Sequence, residues 1–96
     1  MSRILVVEDE SAIAELISIN LRHAGFEVTE VDSGEQALTL AAQDAVDLVL
    51  LDVLMDGIDG FETCRQLRAQ AATAAVPVLM LTGLNDTGSK IGRAHV

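Results

Sequence analysis

The run Leu48-Val49-Leu50-Leu51, closed by Asp52 and followed by the glycine-rich turn Met55-Asp56-Gly57-Ile58-Asp59-Gly60, constrains this chain more than any other stretch. Four consecutive aliphatic residues leave no polar face, which suits a strand buried on both sides. A strand that apolar seldom ends in Asp without purpose, and the turn after it leads into a helix starting near Phe61. An earlier run, Ile4-Leu5-Val6-Val7, ends the same way, in Glu8-Asp9. As neighbouring parallel strands, the two would bring three carboxylates to one sheet edge. Such crowding of like charges calls for a cation or a phosphoryl group to join them.

The rest of the chain alternates short aliphatic runs with amphipathic stretches. Residues 11–24 have helical periodicity, with Ile13, Leu16, Ile17, Leu21 and Ala24 on one expected face, and Gly25 is placed to stop the helix in a left-handed conformation. Phe26 and Val28 alternate with polar residues as a second strand. Ser33 with Gln36 forms a capping-box signal for a second helix, whose apolar face includes Ala37, Leu38 and Ala41. Asp59 with Glu62 repeats the signal for a third helix, with Phe61, Cys64 and Leu67 on one face. The alanine-rich stretch 69–75 reads as a fraying helix end plus loop, and Val76–Leu81 as a fourth strand with Pro77 near its start, where a missing N–H does least harm. Strands joined by single helices with right-handed crossovers give an α/β fold, a doubly wound parallel sheet. Ligands of such sheets bind at the carboxyl ends of the strands, where Glu8, Asp9, Asp52 and Thr82 all fall.

A net charge of −9 argues against nucleic-acid binding by this segment, and two Phe as the whole aromatic content offer no base-stacking platform. Cys64 is the single cysteine, so no internal disulfide forms. With neither a secretory leader nor a spanning segment in the sequence, a cytoplasmic location and no membrane contact are expected.

The combination resembles the receiver domain of two-component response regulators, which are flavodoxin-like. The match includes the acidic pair Glu8 and Asp9, Asp52, Thr82, and the turn Asp52-Val53-Leu54-Met55-Asp56-Gly57-Ile58-Asp59-Gly60, in which Asp56 replaces the family's usual Pro. The resemblance implies that Asp52 accepts a phosphoryl group from a sensor histidine kinase or a phosphotransfer protein. It implies that Asp9, Asp52 and the Leu54 backbone carbonyl hold Mg²⁺, with Glu8 acting through water, and that Thr82 hydrogen-bonds a phosphoryl oxygen and serves as the switch. Hard Mg²⁺ favours such oxygen donors. Taken alone, Asp9 reads better as a helix cap, but Glu8 beside it adds repulsion that a cap does not need.

Rival readings are weaker. Dinucleotide and P-loop domains need glycines after the first strand, where this chain has Glu8-Asp9-Glu10. A haloacid-dehalogenase phosphohydrolase needs a second Asp two residues after its nucleophile, and position 54 is Leu. The protein is therefore not expected to be an enzyme. The remaining alternative is a truncated, non-signalling fragment or an interaction-only pseudo-receiver.

The family's fifth strand, its Lys, its switch aromatic and its last helix have no counterpart here, so the expectation is a partial receiver domain over residues 1–89, lacking its output domain and unstable or only partly folded by itself. Lys90-Ile91-Gly92-Arg93-Ala94-His95-Val96 can be encoded by AAG ATC GGA AGA GCA CAC GTC, with the stop TGA expected next. From its second base that string is a widely used short-read sequencing adapter. Residues 90–96 are accordingly expected to be a non-native tail from adapter read-through.

Overall fold

The computed structural model describes residues 2–52 and 60–81. The Leu54 carbonyl, Thr82, the Asp59 cap and the 90–96 tail lie outside them. In chain order the elements are β1 (Arg3–Val7), α1 (Ser11–His23), β2 (Glu27–Val31), α2 (Gly34–Gln43), β3 (Leu48–Asp52), α3 (Gly60–Ala69) and β4 (Val78–Leu81). The strands form one parallel sheet in the order β2-β1-β3-β4. This is the doubly wound arrangement the sequence implied.

The period-2 alternation of the two central strands sorts their side chains onto two faces. Leu5, Val7, Val49 and Leu51 point to the side covered by α2 and α3, where Ala37, Ala41, Val46 and Leu67 complete a buried cluster. Ile4, Val6 and Leu50 point to the other side, against Ala14 of α1, with Ile17, Leu21, Val28, Leu48 and Leu81 around them. Each fully buried Leu or Val contributes about 1.5–3 kcal/mol. This core fixes the heights at which β1 and β3 end.

The helix signals held at several ends. Gly25 has φ 99°; its N–H donates to the Arg22 carbonyl and the Phe26 N–H to the Leu21 carbonyl, a Schellman stop after Ala24. Ser33 Oγ accepts from the Gln36 N–H at 3.1 Å, while Gln36 Oε1 accepts from the Asp32 N–H rather than from Ser33. Helix α3 ends at Ala69, and the turn after it is fastened by buried Thr73, whose Oγ1 donates to the Leu67 carbonyl at 2.5 Å.

Two apolar faces differ from expectation. Leu16 is 62% exposed, because the packed face of α1 is centred on Ala14 and Ser18 and Leu16 lies about half a turn away from it. Phe61 is 66% exposed: Gly60, Thr63 and Leu67 make the buried stripe of α3, and half-buried Cys64 flanks it. Strand β4 starts at Val78, two residues later than the aliphatic run suggested, since the Val76 N–H closes a turn onto the Thr73 carbonyl. Phe26 precedes β2 and sits in the helix stop.

Candidate functional site

Chain order sets the site. Helix α1 packs on one face as the chain passes from β1 to β2; α2 then crosses back on the other face to deliver β3 on the far side of β1. The strand order reverses between β1 and β3, where the peptide ends splay apart and a crevice opens at the carboxyl edge. Val7 and Leu51 are Cα partners in the β1–β3 ladder. The next residues are Glu8 and Asp52, with Asp9 following at the foot of α1.

Carboxylate oxygens of Glu8, Asp9 and Asp52 all lie within 4.8 Å of one another. Asp52 is fully buried, Glu8 is 2% exposed and Asp9 is half-buried. Strand β3 runs one residue further than the aliphatic run and includes Asp52, whose Cα partner is Leu81 of β4. The nucleophile candidate is thus held by sheet backbone rather than by a loop.

Glu8 is fastened through both backbone and side chain. Its N–H donates to the Val31 carbonyl at the end of β2, at 3.1 Å, and its Oε2 accepts from the Glu10 N–H at 3.0 Å. Its Oε1 is buried with no hydrogen-bond donor among the described residues. Burial pushes the Glu8 carboxyl up to about 7; the Glu10 N–H opposes this, and the neighbouring Asp52 and Asp9 add to it. Near neutral pH the Glu8 carboxyl therefore stands between its protonated and ionised forms. Two unit charges this close repel by about 3 kcal/mol at an effective dielectric near 20.

The residue at the N-cap position of α1 is Glu10, one after Asp9. It has no side-chain capping bond, and its carbonyl accepts from the Ile13 and Ala14 N–H groups. Beside the acids opens a cleft of about 280 Å³, lined by Glu8, Asp9, Ser11, Glu30, Asp32 and Gln36 among others. Sequence reasoning passed over Glu30 and Asp32. The signal was available: Glu30 lies near the end of β2 and Asp32 just after it, and β2 neighbours β1, so they share the same sheet edge. A hard divalent cation suits this all-oxygen set, with Glu8 Oε1 still seeking a positive partner. An anion arriving by itself would be repelled.

Residues 4–94 match the model of the response regulator receiver domain. Over 91 residues the chain is 44% identical to the DNA-binding dual master transcriptional regulator RpaA of Synechocystis, covering 95% of this chain and 38% of that protein. The response regulator TrrA from Thermotoga maritima, solved in complex with Mg(2+)-BeF, superimposes with a TM-score of 0.82 at 35% identity, covering 95% of this chain and 77% of TrrA. The complex of the histidine kinase ThkA with TrrA gives 0.79 at 38% identity, covering 85% of this chain and 69% of the matched one. The chain therefore spans well under half the length of that curated relative.

Proposed function

The chain belongs to the response regulator receiver domain family, and on that premise we propose that Asp52 is the phospho-acceptor of a Mg²⁺-dependent relay. The observation that carries this reading is the cluster of Glu8, Asp9 and Asp52, three carboxylates with oxygens within 4.8 Å at the end of adjacent strands. Asp9 and Asp52 would hold the cation, together with the Leu54 carbonyl, and Glu8 would reach it through water. Bound there, Mg²⁺ would offset the negative charge between the pocket and the incoming phosphoryl group.

Asp52 supplies the nucleophile. One carboxylate oxygen attacks the phosphorus in line, the P–N bond of the donor phosphohistidine breaks, and the departing imidazole keeps the electron pair and takes a proton. The strand backbone positions Asp52 without mobile rotamers beyond its own two torsions. Glu8, anchored by the Glu10 N–H, keeps the crevice acidic and disfavours an anion that lacks its cation. Thr82 would donate to a phosphoryl oxygen.

The donor would be a sensor histidine kinase or a phosphotransfer protein; the ThkA–TrrA complex supports a kinase as partner for this fold. The output would belong to a further domain, as the DNA-binding relative suggests. By itself the chain would be a phosphoryl acceptor rather than an enzyme, with a cytoplasmic location in keeping with that partner. No helix among the described residues is long and apolar enough to cross a membrane.

Incubation with a small-molecule phosphodonor and Mg²⁺ tests the reading by intact mass. The wild type should gain one phosphoryl group and Asp52→Asn none. Label that survives the substitution would sink the assignment, and no label on either would favour a non-signalling fragment.

A further inference from the structure

The cleft of about 280 Å³ lies between the carboxyl ends of β1 and β2 and the first turns of α1 and α2. Four carboxylates line it, those of Glu8, Asp9, Glu30 and Asp32, and none of its described lining residues is basic. Arg22 Nη1 stands 4.0 Å from Glu30, at the limit of an ion pair. Residues 53–59 and 82–89 contain no Lys or Arg, so the acidity of this edge holds wherever they lie. Among the lining residues Glu8 is 2% exposed, and its Oε1 has no donor among the described residues. A second cleft, of about 410 Å³, shares Val31 and Gln36 with the first and runs along α2 past Thr39 to Leu40. The two make one groove, acidic at one end and walled by Val31 and Leu40 at the other. Its strand β2 lies at the far edge of the sheet from β4.

We propose that this groove receives one long basic side chain, Lys or Arg, from the protein that donates the phosphoryl group. The inference rests on Asp52 as the acceptor and adds what selects the donor. Lys and Arg join a charged head to an aliphatic stem that packs along apolar surface. Here the head meets the carboxylates and the stem lies over Val31 and Leu40. The cleft shares Glu8 and Asp9 with the Asp52 cluster, so a donor poised over Asp52 stands beside it. A second metal ion fits less well, because among the described residues Glu30 and Asp32 join no group of acids close enough to hold one. A donor that is acidic around its phosphohistidine is repelled by the same four groups.

Two synthetic helical peptides test this, each with one phosphohistidine: one has Arg four residues to either side of it, the other Glu. At that spacing the flanking side chains share the histidine's face. With Mg²⁺, the full chain should gain its phosphoryl group at least about tenfold faster from the Arg peptide than from the Glu peptide, read by intact mass. Added salt should shrink that ratio. Asp32→Lys should bring it to one or below, while Asp44→Lys, the same charge change at the other end of α2, should keep it. Each ratio is taken within one variant, so an effect on the chemistry itself cancels. Chemical shifts are the second readout and need no transfer: the unphosphorylated Arg peptide should move the Val31, Gln36 and Leu40 amides. Equal rates from the two peptides, a ratio that survives Asp32→Lys, a ratio lost equally in Asp44→Lys, or groove amides that do not move would each overturn the proposal. Failure of phosphoramidate and of both peptides to label Asp52 would instead overturn the acceptor reading, and the shifts would then decide the groove.

Discussion

Val7 and Leu51 face one another across the β1–β3 ladder, and that register makes Glu8 and Asp52 neighbours where the two strands leave the sheet. One residue of slip would send every aliphatic side chain of a strand to the wrong face. The core therefore holds the two acids together against their repulsion.

Burial of the Glu8 carboxyl, with the repulsion from Asp52 and Asp9 added to it, gives a pH dependence. The folded-state Glu8 carboxyl is raised from 4.5 to about 7. Between those values the folded chain binds more protons than the unfolded one, so stability falls as pH rises through the interval and is greatest below it. The difference is on the order of 3 kcal/mol. Urea unfolding of the metal-free protein should show Glu8→Gln more stable than wild type at pH 8, by about 1–3 kcal/mol, and nearly equal at pH 4. A variant weaker than wild type at pH 8 would contradict this origin of the shift.

Mg²⁺ should act in the opposite sense to the proton. A ligand at a hundredfold excess over its Kd stabilises the folded state by about 2.7 kcal/mol. Added Mg²⁺ should raise the melting temperature at pH 8 clearly more than at pH 5, where protons compete for the same oxygens, and chelation should reverse it. Asp9→Asn should remove most of the effect. An equal rise in wild type and Asp9→Asn would place the ion elsewhere.

Ser18 lies fully buried in α1, and its Oγ has no hydrogen-bond partner among the described residues. A buried hydroxyl left unpaired costs about 1–3 kcal/mol, and Ala is the better helix former. Ser18→Ala should therefore raise stability by about 1 kcal/mol in denaturant titration. Phosphodonor labelling should be unchanged, since Ser18 is remote in sequence from the site.

Thr73 works the other way. Its hydroxyl satisfies the Leu67 carbonyl at the end of α3. Thr73→Val keeps the volume and loses the donor, so it should destabilise by about 1–2 kcal/mol and speed exchange of the Gln70 and Thr73 amides. Wild-type stability in Thr73→Val would show that the bond contributes nothing.

The existence of the strands, the adjacency of β1 and β3 and the acidic edge were legible in sequence because buried parallel strands have no polar face and β1 and β3 each end in acid. Gly25 and Ser33 were legible because their roles are local: a positive φ and a cap. Leu16 and Phe61 were not. Helical periodicity gives the spacing of a stripe but not which apolar residues centre on it. In α1 and α3 the centre is occupied by small residues, Ala14, Ser18, Gly60 and Thr63, which let the helices approach closely. Thr73 escaped notice since its bond depends on how the turn folds back on α3. Glu30 and Asp32 became part of the acidic edge only once β2 was placed beside β1.

The most direct test of the account is where the phosphoryl group goes. After treatment with phosphodonor and Mg²⁺, borohydride reduction converts an aspartyl phosphate to homoserine, and peptide mapping locates it. The account predicts homoserine at position 52 alone, dependent on Mg²⁺ and lost in Asp9→Asn. Homoserine at another aspartate, or none in the wild type, would contradict it.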